Sequence, residues 1–257
     1  MRRAVVADLH VGEHGDDLPR FLGLCRQLAE RQVDEVVFLG DLFRTLVGYA
    51  RFWDDTVRAG LGALAMLREG GRRIVMVEGN RDFFLDSADL DPYRDASGVA
   101  HSFASGGRRF LLEHGDLVNR GDRQYRMWRS ISKSGTARLW ARLLPRRLAS
   151  RLVRGTEERL AQTNFAYRRV LPVADLEARA RRYFDAGVDV VLWGHFHRPW
   201  RFATAAGEAF AVPAWEDTGT VVWIDGEGGM TFEPTFPAGH FVDSKGVSWY
   251  QEATSTE

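Results

Sequence analysis

The sequence predicts an α/β fold, and three observations carry that prediction. Five short apolar runs read as buried strands. Amphipathic helical patterns separate the first three of them. Each run leads directly towards an aspartate, asparagine or histidine, at the strand end where open α/β sheets hold their ligands.

Residues 4–7 are the first run. The spacing of Phe21, Leu22, Leu24, Cys25 and Leu28 then predicts a helix, and residues 36–39 the second strand. Leu61, Leu64, Ala65 and Leu67 share a helical face ahead of the third run, residues 74–77. This βαβαβ alternation implies parallel strands with right-handed crossovers. Residues 110–112 and 188–193 complete the five. After Pro199 the texture changes to strands and turns: residues 221–224 and 230–232 flank Asp225-Gly226-Glu227-Gly228-Gly229, a hairpin signal. Residues 253–257 read as a frayed tail.

At 257 residues, 45% of them hydrophobic, the chain fits one large α/β domain, with or without an insertion, better than two domains. Lys and Arg number 35, as do Asp and Glu, so net charge gives no hint of a nucleic-acid partner. A single cysteine, Cys25, excludes an internal disulfide, a CxxC pair and a cysteine-based zinc site. Its place on an apolar helical face marks it as a small buried hydrophobe. No apolar stretch approaches the ~20 residues of a membrane span. The first apolar run ends at Asp8, short of the ~7–15 residues of a signal-peptide core. The expectation is a cytoplasmic globular protein.

The charge balance conceals one basic segment. From Arg120 to Arg169 there are 14 basic side chains against Asp122, Glu157 and Glu158, a net charge of +11. Trp128, Ile131, Leu139, Trp140, Leu143 and Leu148 recur there at helical spacings, with breaks near Gly135, Pro145 and Gly155. Such a segment is either a solvated helical subdomain or a cationic, partly apolar lid or membrane-facing surface.

The strand ends carry Asp8-Leu9-His10, Gly40-Asp41, Gly79-Asn80-Arg81-Asp82, His114-Gly115-Asp116 and Gly194-His195-Phe196-His197. Carboxylate, imidazole and amide oxygen together suit divalent metals such as Mn²⁺, Fe²⁺ or Zn²⁺. Singly, each motif is weak, since Asp-x-His is commonly a capped turn. Five in order, each after a strand, point to one metal site. His14, His101 and His240 lack that context and read as structural or surface residues.

The pattern D-x-H, G-D, G-N, H-G and G-H-x-H, from Asp8 to His197, resembles that of the calcineurin-like binuclear metallophosphoesterases. The resemblance implies an α/β sandwich of two sheets flanked by helices, the second sheet including the strands after Pro199. Residues 1–257 would form one metallophosphoesterase domain. One divalent ion would take Asp8, His10, Asp41 and His197, the other Asp41, Asn80, His114 and His195, with Asp41 bridging; Mn²⁺ is the expected metal. Two such ions support in-line displacement at phosphorus. Asp41, Asn80, Arg81 and His195 are the expected catalytic residues.

Arg81 narrows the branch. Many members have a histidine there, which protonates an alkoxide leaving group. A guanidinium is a poor general acid but clamps phosphate oxygens well. It suits a leaving group that needs no proton, such as a phosphate monoester with a second pKa of about 6. The cleaved bond is therefore expected to be a diphosphate.

The extended motifs Gly40-Asp41-Leu42-Phe43, Gly79-Asn80-Arg81-Asp82-Phe83, Glu113-His114-Gly115-Asp116 and Gly194-His195-Phe196-His197-Arg198-Pro199 look like those of the UDP-2,3-diacylglucosamine diphosphatases of the lipid A pathway. Those enzymes release UMP and the acylated sugar phosphate lipid X. The resemblance implies an acylated UDP-sugar as substrate, peripheral association with the cytoplasmic face of the inner membrane, and no nucleic-acid partner. Residues 120–170 stand where that family carries a helical lid. Asp122 and Tyr125 match its D-x-x-Y, and Asn164 and Arg168 fall where it has an asparagine and a basic residue. With Asn80, Arg81 and His195 these are the expected substrate-binding residues.

Two departures bear on the substrate and leave the metal site untouched. Arg44 replaces the usual acidic residue after G-D-L-F, and Thr45-Leu46-Val47-Gly48 lacks the tryptophan-rich stretch. The rival readings are another phosphodiester, nucleotide pyrophosphate or phosphomonoester on the same core, a non-catalytic scaffold, and a nucleic-acid module built on the arginines.

Overall fold

The computed structural model describes residues 1–143 and 171–235. The first half of the chain runs β1 (Arg3–Val6), α1 (Asp17–Glu30), β2 (Glu35–Leu39), β3 (Leu46–Val47), α2 (Asp55–Glu69), β4 (Arg73–Val77), β5 (Asp82–Phe83) and β6 (Ala96–Gly98). The hairpin β7 (Ala100–Ser105) and β8 (Arg108–Glu113) follows, then α3 (Arg123–Ser132) and α4 (Gly135–Leu143). Beyond the undescribed stretch come α5 (Val173–Asp185), β9 (Val190–Trp193), β10 (Trp200–Thr204), β11 (Gly207–Ala211), α6 (Trp215–Thr218), β12 (Thr220–Ile224) and β13 (Met230–Pro234).

All five predicted runs are strands, but they divide between two sheets. β1, β2 and β4 lie parallel in a six-stranded sheet ordered β13-β12-β1-β2-β4-β6. β8 and β9 lie parallel in a five-stranded sheet ordered β10-β11-β9-β8-β7. The strands after Pro199 do not all join the second sheet. β10 and β11 do, whereas β12 and β13 form the predicted hairpin, with Ile224 opposite Met230, and close the first sheet beside β1. The reason is burial: all five residues of β12 are buried, so the strand needs cover on both faces.

Side-chain alternation builds the layers. Ala4, Val6, Val36, Phe38, Ile74 and Met76 face α1 and α2, meeting Phe21, Leu24, Leu28, Leu61 and Leu64. Val5, Ala7, Val37, Leu39, Val75 and Val77 face the opposite way, against Phe110, Leu112, Val190 and Leu192 of the second sheet. That sheet's far side, Val191, Trp193, Ala209 and Ala211, is covered by Leu176, Ala180 and Phe184 of α5. The result is a helix–sheet–sheet–helix sandwich, as the resemblance implied. Cys25 is buried in the first of these layers, and burial pushes its thiol up to about 12.

The basic segment is helical where described. Asp122 caps α3 by accepting the Tyr125 amide at 2.8 Å, and the break near Gly135 falls between α3 and α4. The breaks near Pro145 and Gly155, like Asn164, Arg168, His240 and the tail, lie outside the described residues. His14 is exposed, and His101 faces the buried Glu35 at 3.3 Å.

Candidate metal centre

The loops after β1, β2, β4, β8 and β9 meet at one end of the sandwich. The Asp41 carbonyl accepts the amides of Leu9 and His10 at 3.1 and 3.0 Å, which ties the first loop to the second. Asp41 Oδ1 accepts the Arg81 amide at 2.8 Å, and Asp8 Oδ2 accepts the His195 amide at 2.7 Å. Asp82, a buried neighbour that the motif reading left without a role, accepts the amides of both Asp41 and Gly79 at 2.8 and 2.9 Å. The loops after β2, β4 and β9 thus each have a backbone amide held by an acidic side chain of another loop.

That backbone is unusual. Asp8, His10, Asp41, His195 and His197 all have φ between 47° and 72°, in the left-handed region. Among the described residues only Gln32 and Phe84 are the other non-glycine cases. Such conformations persist where surrounding structure enforces them, and they cluster at functional sites. Gly79 is required by close approach: a Cβ there would fall on the Asp41 carboxylate.

The side chains of these loops point towards one another. His114 Nε2 lies 3.7 Å from Asp41 Oδ2 and 3.1 Å from Asn80 Oδ1, while His195 Nδ1 lies 3.0 Å from the same Asn80 oxygen. His114 Nδ1 faces the Leu39 carbonyl at 3.0 Å, the backbone contact that commonly orients a metal-binding imidazole. On the other side, His10 Nε2 lies 4.0 Å from Asp41 Oδ2, and His197 Nε2 lies 3.9 Å from Asp8 Oδ1. Asp41 Oδ2 therefore stands between two donor groups: Asp8, His10 and His197, and Asn80, His114 and His195.

The donor set fits divalent cations. Asp8 Oδ1 is buried without a hydrogen-bond partner, an oxygen left for a ligand the protein itself does not supply. Burial, reinforced by Asp41, raises the Asp8 pKa, and the same pair of causes pushes Asp82 up to about 7. Burial beside His114 pushes His195 down to about 3, so its imidazole is neutral, the form that binds metal. Opposing burial, Asp41 and Asp8 raise His114. Carboxylates crowded in this way favour a bound positive charge.

Sequence reasoning missed a second ring of acids. Glu216, on α6, lies 3.7 Å from His10 Nε2 and 3.3 Å from His197 Nδ1; burial, with Asp217, Glu13 and Asp8 nearby, pushes it up to about 8. Glu13 accepts from Arg81 at 2.7 Å. No periodicity marks Glu216, because α6 is a four-residue turn whose position depends on docking against the end of β1. Asp116, of the H-G-D motif, accepts from Tyr125 and from Arg129 (2.5 Å). Burial works against its ionisation, but His114, Arg129, His195 and Lys133 hold it at about 2.

Arg81 is buried, its guanidinium held by Glu13 and 3.9 Å from Asp41. Asp122 and Tyr125 do not reach the metal centre with free polar groups; the carboxylate caps α3 and the phenol is bonded to Asp116. Trp128 packs edge-on against Phe83 at 6.0 Å, whereas Met127, Ile131, Leu139, Trp140 and Leu143 are exposed.

Comparison with known proteins identifies the family. The UDP-2,3-diacylglucosamine hydrolase of Ectopseudomonas mendocina (strain ymp) is 30% identical over 241 residues, covering 87% of this chain and 94% of that one. Its namesake from Stenotrophomonas maltophilia (strain R551-3) is 28% identical over 252 residues, covering 89% and 96%. Among solved structures, a dimetal phosphatase from Danio rerio aligns with a TM-score of 0.49 at 16% identity, over 91% of this chain and 95% of that one. The sequence pattern of the calcineurin-like phosphoesterases matches residues 1–199, the stretch that holds every one of the five motifs, and the chain belongs to that family.

Proposed function

We propose that this chain hydrolyses the diphosphate bond of UDP-2,3-diacylglucosamine to UMP and 2,3-diacylglucosamine 1-phosphate, a step of lipid A biosynthesis. The observation that carries the reading is the convergence of seven motif side chains from five loops with Arg81, rather than a histidine, beside Asn80. The names of the relatives support the choice of substrate.

Asp8, His10, Asp41 and His197 would hold one divalent ion and Asp41, Asn80, His114 and His195 the other, with Mn²⁺ suited to this oxygen and nitrogen set. When bound, such ions supply an activated water and charge stabilisation at phosphorus. The chain's own groups do the rest. Arg81, kept charged and fixed by Glu13 and Asp41, neutralises the phosphoryl oxygens. Asn80 and His195 line the same position. The water oxygen bonds to the uridylyl phosphorus as the bond from that phosphorus to the bridging oxygen breaks; the sugar phosphate leaves as an anion without needing a proton, and the protons of the water pass to solvent.

The segment 120–170 acts in this reading as a lid. Exposed Ile131, Leu139, Trp140 and Leu143 would accept acyl chains at roughly 0.8 kcal/mol per buried methylene. The arginines would draw the protein to anionic lipid at about 1 kcal/mol each near the surface, giving peripheral association with the cytoplasmic face of the inner membrane. No helix among the described residues is long and apolar enough to cross a membrane. Asn164 and Arg168 would contact the substrate, whereas Asp122 and Tyr125, engaged with the first turn of α3 and with Asp116, would support that contact by fixing the start of the segment.

Incubation with Mn²⁺ and a panel of acylated and unacylated UDP-sugars tests the reading. UMP released from the diacylated sugar, and far more slowly from the others, is the expected result. Efficient cleavage of a simple phosphodiester with no preference for the acylated nucleotide would replace it with the broader phosphodiesterase reading.

A further inference from the structure

Helix α6 brings two carboxylates to one face of His197. Asp217 Oδ2 lies 3.3 Å from His197 Nδ1 in hydrogen-bonding geometry, and Glu216 Oε1 lies 3.3 Å from the same nitrogen. The opposite nitrogen, Nε2, faces Asp8 Oδ1 at 3.9 Å. His10 stacks on His197 with ring centroids 5.3 Å apart, and its Nε2 lies 3.7 Å from Glu216.

The helix is not free to move these acids away. The Trp215 amide donates to the Ala7 carbonyl at 2.9 Å and the Glu216 amide to the Asp8 carbonyl at 3.3 Å, so α6 is pinned to the end of β1. Trp215 is buried, Arg20 donates to the Glu216 carbonyl at 2.9 Å, and Thr218 donates to the Ala214 carbonyl at 2.8 Å. Gly219, at φ 68°, ends the turn. A segment of the chain 20 residues beyond His197 is thus locked against its outer nitrogen.

Resting on the reading of Asp8, His10 and His197 as metal ligands, we propose that α6 positions His197: Asp217, whose carboxylate meets Nδ1 in hydrogen-bonding geometry, holds the ring in the Nδ1–H tautomer with Glu216 alongside, and presents Nε2 to the ion on the Asp8 side. A carboxylate accepting from the outer ring N–H fixes the orientation of an imidazole and raises its strength as a ligand, and loss of such a partner typically lowers metal affinity by about 10–100-fold. The other donor group has a different arrangement, with a backbone carbonyl, that of Leu39, on His114 Nδ1. The two sites therefore differ in affinity through their outer partners, and α6 controls only one of them.

Equilibrium dialysis of the full chain against Mn²⁺, comparing wild type with Glu216→Gln/Asp217→Asn, tests this independently of turnover. The expected result is two classes of site in the wild type, one of them weakened about 10–100-fold in the double variant and the other unchanged. The metal-free variant should melt no lower than wild type, because the amides are isosteric. Nitrogen-15 NMR of metal-free wild type should place the His197 proton on Nδ1, with that preference reduced in the variant. Two sites weakened alike, two sites left unchanged, or an Nε2–H tautomer in the wild type would each overturn the role of α6 alone. A wild type that retains no Mn²⁺ would remove the ligand reading and this proposal together.

Discussion

Lys133 donates to the Gly79 carbonyl at 2.6 Å, so the residue that ends α3 holds the peptide immediately before Asn80. The same ammonium donates to Glu78 at 2.6 Å, and Arg129, one turn earlier, bonds Asp116 beyond His114. The start of the basic segment is thus bolted to two of the five site loops. Lys133→Met should lower turnover of the acylated substrate about tenfold or more, the effect typical of losing a group that supports metal ligands. Cleavage of a small phosphodiester should fall by a similar factor, because the same metal ligands serve both, and steady-state kinetics on both substrates measures the two losses.

Asp41→Ala should be the most damaging single change. Its carboxylate faces both donor groups and accepts the Arg81 amide. We expect turnover to fall by roughly 10³-fold or more, about 4 kcal/mol of transition-state stabilisation. Circular dichroism should report an intact fold, since a strand-end carboxylate fills no core volume. Retention of wild-type rate would dismiss the bridging assignment.

Exposure separates two tryptophans of the same segment. Trp140 is 63% exposed, whereas Trp128 packs on Phe83 and Tyr125. Trp140→Ser combined with Leu143→Ser should leave the melting temperature within a degree or two and reduce preference for acylated over deacylated substrate. Trp128→Ala should do the reverse in part, costing about 2–3 kcal/mol in urea unfolding through lost packing.

Acid sensitivity should trace to Glu35. Burial would raise its pKa, but His101, Arg3 and Arg73 prevail and hold it at about 2. An unfolded glutamate titrates near about 4.3. The folded pKa is the lower one, so this stabilisation is complete above about pH 4.3 and is lost as pH falls towards 2. Unfolding free energies measured between pH 6 and 2.5 should decline over that window in the wild type. Glu35→Gln should flatten the decline, and by leaving Arg3 buried without its partner it should cost about 3 kcal/mol at pH 6.

Much of this was legible in the residues because strand and ligand signals coincide. Each apolar run ends beside its Asp, Asn or His, so both the element and its functional end are marked locally. The division of those strands between two sheets was not marked locally, since a buried strand reads the same in either. Placement of β12 beside β1 depends on a pairing between residues more than 200 positions apart. Glu216 and Asp217 were invisible for a related reason: a four-residue helix has no period to read, and its chemistry exists only where α6 meets β1. Tyr125 was singled out by its motif, yet only the fold shows its hydroxyl spent on Asp116.

The two sheets contribute unequally to the centre: Asp8, His10, Asp41 and Asn80 follow strands of the first, His114, His195 and His197 strands of the second. Any cation shared between these groups acts as a rivet across the seam, and only the assembled sandwich can bind it. Occupancy and sheet docking are then thermodynamically linked, adding about 2.7 kcal/mol of stability when free metal stands at 100 times its dissociation constant. Metal scarcity would loosen the whole sandwich as well as silencing its chemistry, coupling the lifetime of the folded chain to the supply of its ions.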